Sequence, residues 1–249
     1  MTLDLRKFFK ATWIVIAIVI IWQISVDYFA INSIVMASPA AIVQEVIKNW
    51  PAFGAATLQT ILFAAIGATI GIAIGTLLAI ASWWSRIMSG LLTPLSLIFA
   101  SVPVVAIIPV LARIFGYDAR TVLAIVAIIS FFPAFVFTTA GLRSLPPGSA
   151  DLFHVLGVSK LGRLFYLAIP SAIPEWAIAL RLAAANAILA AIVAEFLMGT
   201  SGLGYMFNVA RGDLNMSNAL GASAIAAAIS IFSFFVASTF ERRLRDRWL

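Results

Sequence analysis

Residues 57–82 read TLQTILFAAIGATIGIAIGTLLAIAS, with no charged side chain anywhere in the stretch. About 20 consecutive apolar residues suffice for a helix to cross the hydrocarbon core of a bilayer. Lipid cannot satisfy backbone N–H and C=O groups, so only helices and closed barrels span it. The alternating apolar/polar pattern of a barrel strand is missing from this stretch. Thr57–Ser82 is therefore expected to be a membrane-spanning helix. Gly67, Gly71 and Gly75 recur every fourth residue and fall on one of its faces. Small residues at that spacing let a neighbouring helix approach closely, which is a packing role.

Similar runs lie on either side. Trp13–Ile31, Leu91–Phe115, Thr121–Gly141, Pro174–Met198 and Ala219–Phe240 complete six expected spans. The whole chain of 249 residues is 63% hydrophobic and only 10% charged, with a mean hydropathy of +1.09. Soluble domains are about one quarter charged. The length would fit one or two soluble domains, but the apolar runs make residues 1–249 a single all-α transmembrane domain. The chain contains no cysteine, which excludes disulfides, thiolate metal sites and cysteine nucleophiles. The basic residues Arg6, Lys7 and Lys10 before the first run resemble a signal peptide. That run is too long and has no small-residue cleavage site, so it is expected to remain as an anchor.

The net charge of +6 suggests orientation, not a nucleic-acid partner. With a cytoplasmic N-terminus, the cytoplasmic side receives Arg6, Lys7, Lys10, Arg86, Arg143, Lys160, Arg163, Arg242, Arg243, Arg245 and Arg247. The other side receives Lys48, Arg120 and Arg211. Positive charge in short loops stays inside. Both termini are thus expected in the cytoplasm, with the chain in a cell membrane and lipid around it.

Three connections stand out. Residues 38–50 carry a Ser38 cap, Pro39 at the first helical position and apolar Ile42, Val43, Val46 and Ile47, a short external helix on the membrane surface. Residues 198–218 hold Gly199, Gly202, Gly204 and Gly212 and read as an external loop. Residues 143–173 form the longest cytoplasmic segment. There Pro146 and Pro147 stop the preceding helix. Ser149 is a candidate cap for a new helix, with Asp151 in its first turn. Leu152, Phe153 and Leu156 give it an apolar face, and Gly157 supplies a left-handed stop. Ser159 starts a second helix towards Pro170 and Pro174. An amphipathic helix outside the bilayer needs a cover for its apolar face, either lipid headgroups or a groove on a partner.

The segment resembles a known signature. Asp151-x5-Gly157-x9-Leu167-x-Ile169-Pro170 is similar to E-A-A-x3-G-x9-I-x-L-P, the mark of permease subunits of bacterial ABC importers. Leu152 and Phe153 stand where that pattern has two alanines. Residues 101–109, S-V-P-V-V-A-I-I-P, resemble the family's R-x-[IV]-P-P-L-A-x-[IL]-P, with Val104 replacing its second proline. Arg113 further departs from it. Ala194-Glu195 with Ser201-Gly-Leu-Gly-Tyr205, and Leu180-Arg-Leu-Ala183, resemble the nitrate/sulfonate/taurine-type subgroup.

The resemblance implies a type I ABC importer permease fold and a translocation pathway for a small organic or inorganic anion or a vitamin precursor. It implies a second permease copy, two cytoplasmic ATP-binding subunits and a periplasmic or lipid-anchored substrate-binding protein. The ATPase would engage Asp151, Leu152, Phe153, His154, Leu156, Gly157 and Val158. ATP and Mg would sit on that partner, with no cofactor on this chain. Pro170 and Pro174 form the candidate hinge.

Pathway or gate candidates are Pro103, Pro109, Arg113, Pro133, Arg181, Glu195 and Ser201. Proline frees a backbone carbonyl, which membrane depth tolerates mainly beside protein or water, although a packing kink is an equal reading. Arg181 and Glu195 are ionisable within a span and should face the interior. They lie about 21 Å apart along a helix and cannot pair. Arg181 is expected to attract an anionic substrate or to pair with Glu175 or a backbone carbonyl. Glu195 is expected to fix the outer gate and its glycine loop. His154, the only histidine, reads as polar surface.

Two other classes are weighed. Gly199-Thr-Ser201-Gly202 matches the G-x-S-G of rhomboid-type intramembrane proteases. That chemistry needs a histidine base on a later span, and His154 precedes Ser201. An ion-coupled secondary transporter would show internal repeats and mid-membrane ionisable relays, and neither is evident. The pattern G-x4-G-K-[ST] does not occur, so an ATPase is expected to be a separate subunit and this chain not an enzyme.

Overall fold

The computed structural model describes residues 5–101 and 103–248. The side chains of residues 5–12, 97, 99–101, 104, 105 and 248 lie outside the described residues, and so do Arg6, Lys7, Lys10, Val102 and Val104 as the sequence reading used them. The described residues are helical: α1 (Leu5–Tyr28), α2 (Pro39–Lys48), α3 (Trp50–Trp84), α4 (Arg86–Ser101), α5 (Val104–Phe115), α6 (Ala119–Arg143), α7 (Ser149–Val155), α8 (Lys160–Arg163), a π-helical turn over Leu164–Ala168, α9 (Ile169–Met198), α10 (Leu203–Gly212) and α11 (Met216–Trp248). Four helical stretches are long and apolar enough to cross a membrane: Trp50–Trp84, Ala119–Arg143, Lys160–Met198 and Met216–Arg247. Trp13–Tyr28 and Ala106–Phe115 are shorter apolar helices.

Helices α3, α6 and α9 pack together at the centre, with α11 against α9. The glycine stripe decides the first of these contacts. A Cβ built on Gly67 would lie 2.6 Å from Cβ of Val126, and one on Gly75 would lie 2.7 Å from the Phe131 carbonyl oxygen. At Gly71 it would meet the Ala127 carbonyl. The face about 100° round from that stripe carries Ile66, Ile70, Ile74 and Leu77, all exposed. Small residues face the neighbouring helix and large aliphatic ones face outward, the arrangement that suits a lipid solvent. Helix α9 follows the same rule, burying Ala172, Ala179, Ala183, Ala187, Ala190 and Ala194. Gly141 of α6 lets it approach, since a Cβ there would be 2.8 Å from Cα of Ala172.

Larger side chains fill the space between. Phe63, Ile108, Val122, Ile125, Val126 and Ile188 form the middle layer. Phe135, Leu142 and Leu164 close the end that carries α7. Phe53, Leu203, Ala222 and Ala226 close the end that carries α10.

Three local expectations change. The third span is two helices, α4 and α5, meeting at Pro103, which is extended (φ −60°, ψ 116°) and caps α5. Proline has no N–H to continue a ladder, so a helix can end there. Pro109 and Pro133, by contrast, sit inside α5 and α6. The 198–218 connection contains α10, whose Leu203 and Ala210 are buried. Helix α7 is capped by Gly148 in a left-handed conformation (φ 75°), and the Ser149 hydroxyl instead donates to the Pro146 carbonyl at 2.6 Å. The Ser38 cap is present, its hydroxyl oxygen accepting from the Ala41 N–H at 3.2 Å.

Candidate functional site: a protruding helix and a buried latch on one rod

Helix α7 ends in a Schellman motif. The Gly157 N–H donates to the His154 carbonyl (3.0 Å) and the Val158 N–H to the Phe153 carbonyl (3.1 Å), with Gly157 at φ +67°. None of its residues is buried. Leu152, Val155 and Leu156 are 56%, 82% and 66% exposed. They follow i, i+3, i+4 spacing and share one face. Phe153, expected on that face, is only half-buried, while Val155 joins it. Asp151, His154 and Gly157 are exposed and Val158 is half-buried.

The segment after α7 is tied to the bundle. Ser159 caps α8 by accepting from the Gly162 N–H at 3.2 Å. The Lys160 ammonium donates to the Trp84 carbonyl and lies 5.0 Å from the centroid of the Trp84 ring. Arg143 donates to the Ser89 hydroxyl. The π turn follows, its wide ring closed by the Ile169 N–H on the Leu164 carbonyl. Pro170 then lacks the N–H that would reach the carbonyl four residues back, at Tyr166. Single π turns mark points where a helix departs from regular winding. Beyond them the helix continues through Pro174 to Met198, so Lys160–Met198 is one rod of 39 residues, roughly 58 Å long at 1.5 Å per residue.

Near the far end of that rod sits Glu195, 0% exposed. Its Oε2 accepts from the Thr60 hydroxyl of α3 (2.9 Å) and from the Gly204 N–H of α10 (3.0 Å). The Thr60 oxygen in turn accepts from the Leu203 N–H (2.9 Å). The first N–H groups of α10, which have no partner within the helix, are thus satisfied by α3 and α9. Gly202 is pressed on the carboxylate. It sits at φ +95°, and any Cβ would collide with Cδ of Glu195. Gly204 lies against the Ile192 carbonyl. Thr60 was absent from the sequence reading. A threonine in a span normally returns its hydroxyl to its own helix, and the Ala56 carbonyl, 3.1 Å away, competes with Glu195 for the one hydroxyl proton of Thr60.

Arg181, also on α9, pairs differently from expectation. Arg181 Nη1 is 2.8 Å from Oε2 of Glu241 on α11, and Glu175 is not its partner. Glu241 is 5% exposed at its side chain and Arg181 31%. Arg245 approaches the other oxygen of Glu241 at 3.9 Å. The remaining candidates are separate. Pro103, Pro109 and Arg113 are exposed at or along α5, Pro133 is half-buried in α6, and Ser201 lies in the glycine loop. The described residues hold no group of three or more His, Cys, Asp or Glu able to bind a metal.

Residues 71–249 match the model of the binding-protein-dependent transport system inner membrane component. The chain belongs to that family. It is therefore a permease component of an ABC importer and an inner-membrane protein, and the ion-coupled carrier is set aside. It is 28% identical to a probable ABC transporter permease protein of Haemophilus influenzae, over 92% of this chain and 94% of that one. It is 29% identical to the formylaminopyrimidine transport permease protein ThiX of Halalkalibacterium halodurans, over 79% and 78%. A riboflavin transport system permease protein of Chloroflexus aurantiacus is 27% identical over 93% and 87%. Among solved structures, an amino acid ABC transporter with histidines superposes with a TM-score of 0.68 at 18% identity, covering 81% of this chain and 98% of that one. The inward-facing MetNI methionine transporter gives 0.65 at 15%, covering 76% and 94%. These neighbours share the type I ABC importer permease fold.

Proposed function

We propose that this permease forms the translocation pathway of an ATP-driven importer and is driven through α7 by a separate ATPase. The observation that carries the reading is the exposed Leu152–Val155–Leu156 face, held off the bundle on a helix with well-formed ends. An apolar face of this kind is covered by a groove on a partner. Two ATP-binding subunits, a second permease copy and a periplasmic or lipid-anchored binding protein complete the assembly, with ATP and Mg on the ATPase. The cargo is a small organic or inorganic anion or a vitamin precursor. Relatives named for formylaminopyrimidine and riboflavin support the second class, and relatives named for taurine and nitrate support the first.

The proposed coupling is mechanical. Closure of the ATPase dimer displaces α7, and the Lys160–Met198 rod carries the displacement past Pro170 and Pro174. The Glu195 latch at its far end then releases or closes the glycine loop, an element with two arrangements biased from a distance. Arg113, Pro103, Pro109 and Pro133 line the pathway between α5 and α6 in this account. The test is ATP hydrolysis by the reconstituted complex in lipid nanodiscs. The binding protein with cargo should stimulate it, and a rate indifferent to the binding protein would refute the coupling.

A further inference from the structure

Against the latch lies a cavity of about 500 Å³, bordered by the start of α3, the glycine loop, α10 and the start of α11. That volume is typical of small-molecule sites. Among the described residues its polar groups are Gln59, Thr200, Ser201, Tyr205, Asn215 and Asn218, and its one charge is the carboxylate of Asp213. No lysine, arginine or histidine among the described residues lines it. The nearby Arg211 guanidinium is drawn away over the Phe196 ring, 5.6 Å from its centroid.

Several of these groups have unused capacity. Asn218 also lines the cavity, although its Oδ1 is itself buried out of reach of solvent. Gln59, half-buried one residue before Thr60, has a free amide. Asn215 spends its Oδ1 on the Asn218 N–H at 3.1 Å and keeps its amide donors. Carboxamides offer a donor and an acceptor side by side in one plane. A nitrate or sulfonate would find no cation here and one carboxylate repelling it. Gly202, which borders the cavity, rests on Glu195, so filling the cavity acts directly on the latch.

We propose that this cavity receives the cargo at the glycine-loop end, and that the cargo is an uncharged, hydrogen-bonding molecule, not an anion. This narrows the cargo of the importer and rests on that reading.

The chain has no cysteine, so Ser201→Cys introduces a single thiol into the cavity wall. The full chain in nanodiscs is labelled with cationic and with anionic thiosulfonate reagents, each rate normalised to its reaction with free cysteine. The cationic reagent should react faster by roughly five-fold, the effect of one nearby carboxylate in screened solvent. Adding Asp213→Asn should erase the bias. Riboflavin, used as an uncharged heteroaromatic probe, should slow labelling, and Gln59→Ala with Asn218→Ala should remove that protection. Nitrate and ethanesulfonate should give none.

Equal or faster anionic labelling overturns the proposal. So does protection by the anions, or by no probe at all. Cysteine labelling that responds to the binding protein and to none of the small probes would make the cavity a docking face for that protein, and also overturns it. The labelling needs only this chain, so its failure is read separately from any failure to recruit an ATPase.

Discussion

Glu195 and Thr60 meet 2.9 Å apart inside the bundle, and between them they accept the N–H groups of Leu203 and Gly204. One carboxylate and one hydroxyl thus join α3, α9 and the start of α10. Thr60→Val removes the hydroxyl while keeping the side chain's shape. It leaves the Leu203 N–H without an acceptor and takes a donor from Glu195. The cost should be about 1–3 kcal/mol, the penalty for an unsatisfied buried group. It is measured as a lower unfolding midpoint in detergent, with transport lost and ATP hydrolysis retained.

Gly202→Ala should fail for two reasons, a left-handed φ of +95° and a collision with the Glu195 carboxylate. The strain alone is about 1–2 kcal/mol. Gly212→Ala is the control: a Cβ there meets nothing within 4 Å, and the variant should match the parent in thermal stability and transport.

Glu241→Gln should strand Arg181. Breaking a buried pair costs about 3–5 kcal/mol. Arg181 keeps 31% exposure, so the loss here should be roughly half of that, because water screens the guanidinium. Pairing the change with Arg181→Met should recover most of the loss, and a double-mutant cycle on thermal midpoints checks it.

Gly157→Val is expected to uncouple the importer while leaving the chain folded and inserted. Nothing lies within 4 Å of the added Cβ, so packing is spared, but φ +67° is strained for valine and the Schellman end of α7 is lost. Substrate-stimulated ATP hydrolysis at the parent rate would refute the role given to this helix end.

Much of this was legible from the chain itself. Four of the six expected spans were visible because lipid forces helices, and the glycine stripe of α3 because four-residue spacing has one structural meaning. Caps at Ser38, Gly157 and Ser159 were visible because each follows from local hydrogen bonding. The break at Pro103 was not, since a proline in an apolar run can kink a helix or end it, as Pro109 and Pro103 respectively illustrate. Helix α10 was hidden by glycines that serve close contact with Glu195, not loop flexibility. The partner of Arg181 lay on another helix, just past the expected end of the sixth span at Phe240. On a helix as short as α7, a small error of phase exchanged Val155 for Phe153.

The most direct test is recruitment of the ATPase. The chain is purified in detergent after co-expression with its neighbouring genes, as parent and as the Leu152→Asp, Val155→Asp double variant. The account predicts a stoichiometric, ATP-hydrolysing partner with the parent and its loss from the variant, while both chains elute as folded protein. A variant that retains the partner in full, or a folded parent that captures none, would contradict it.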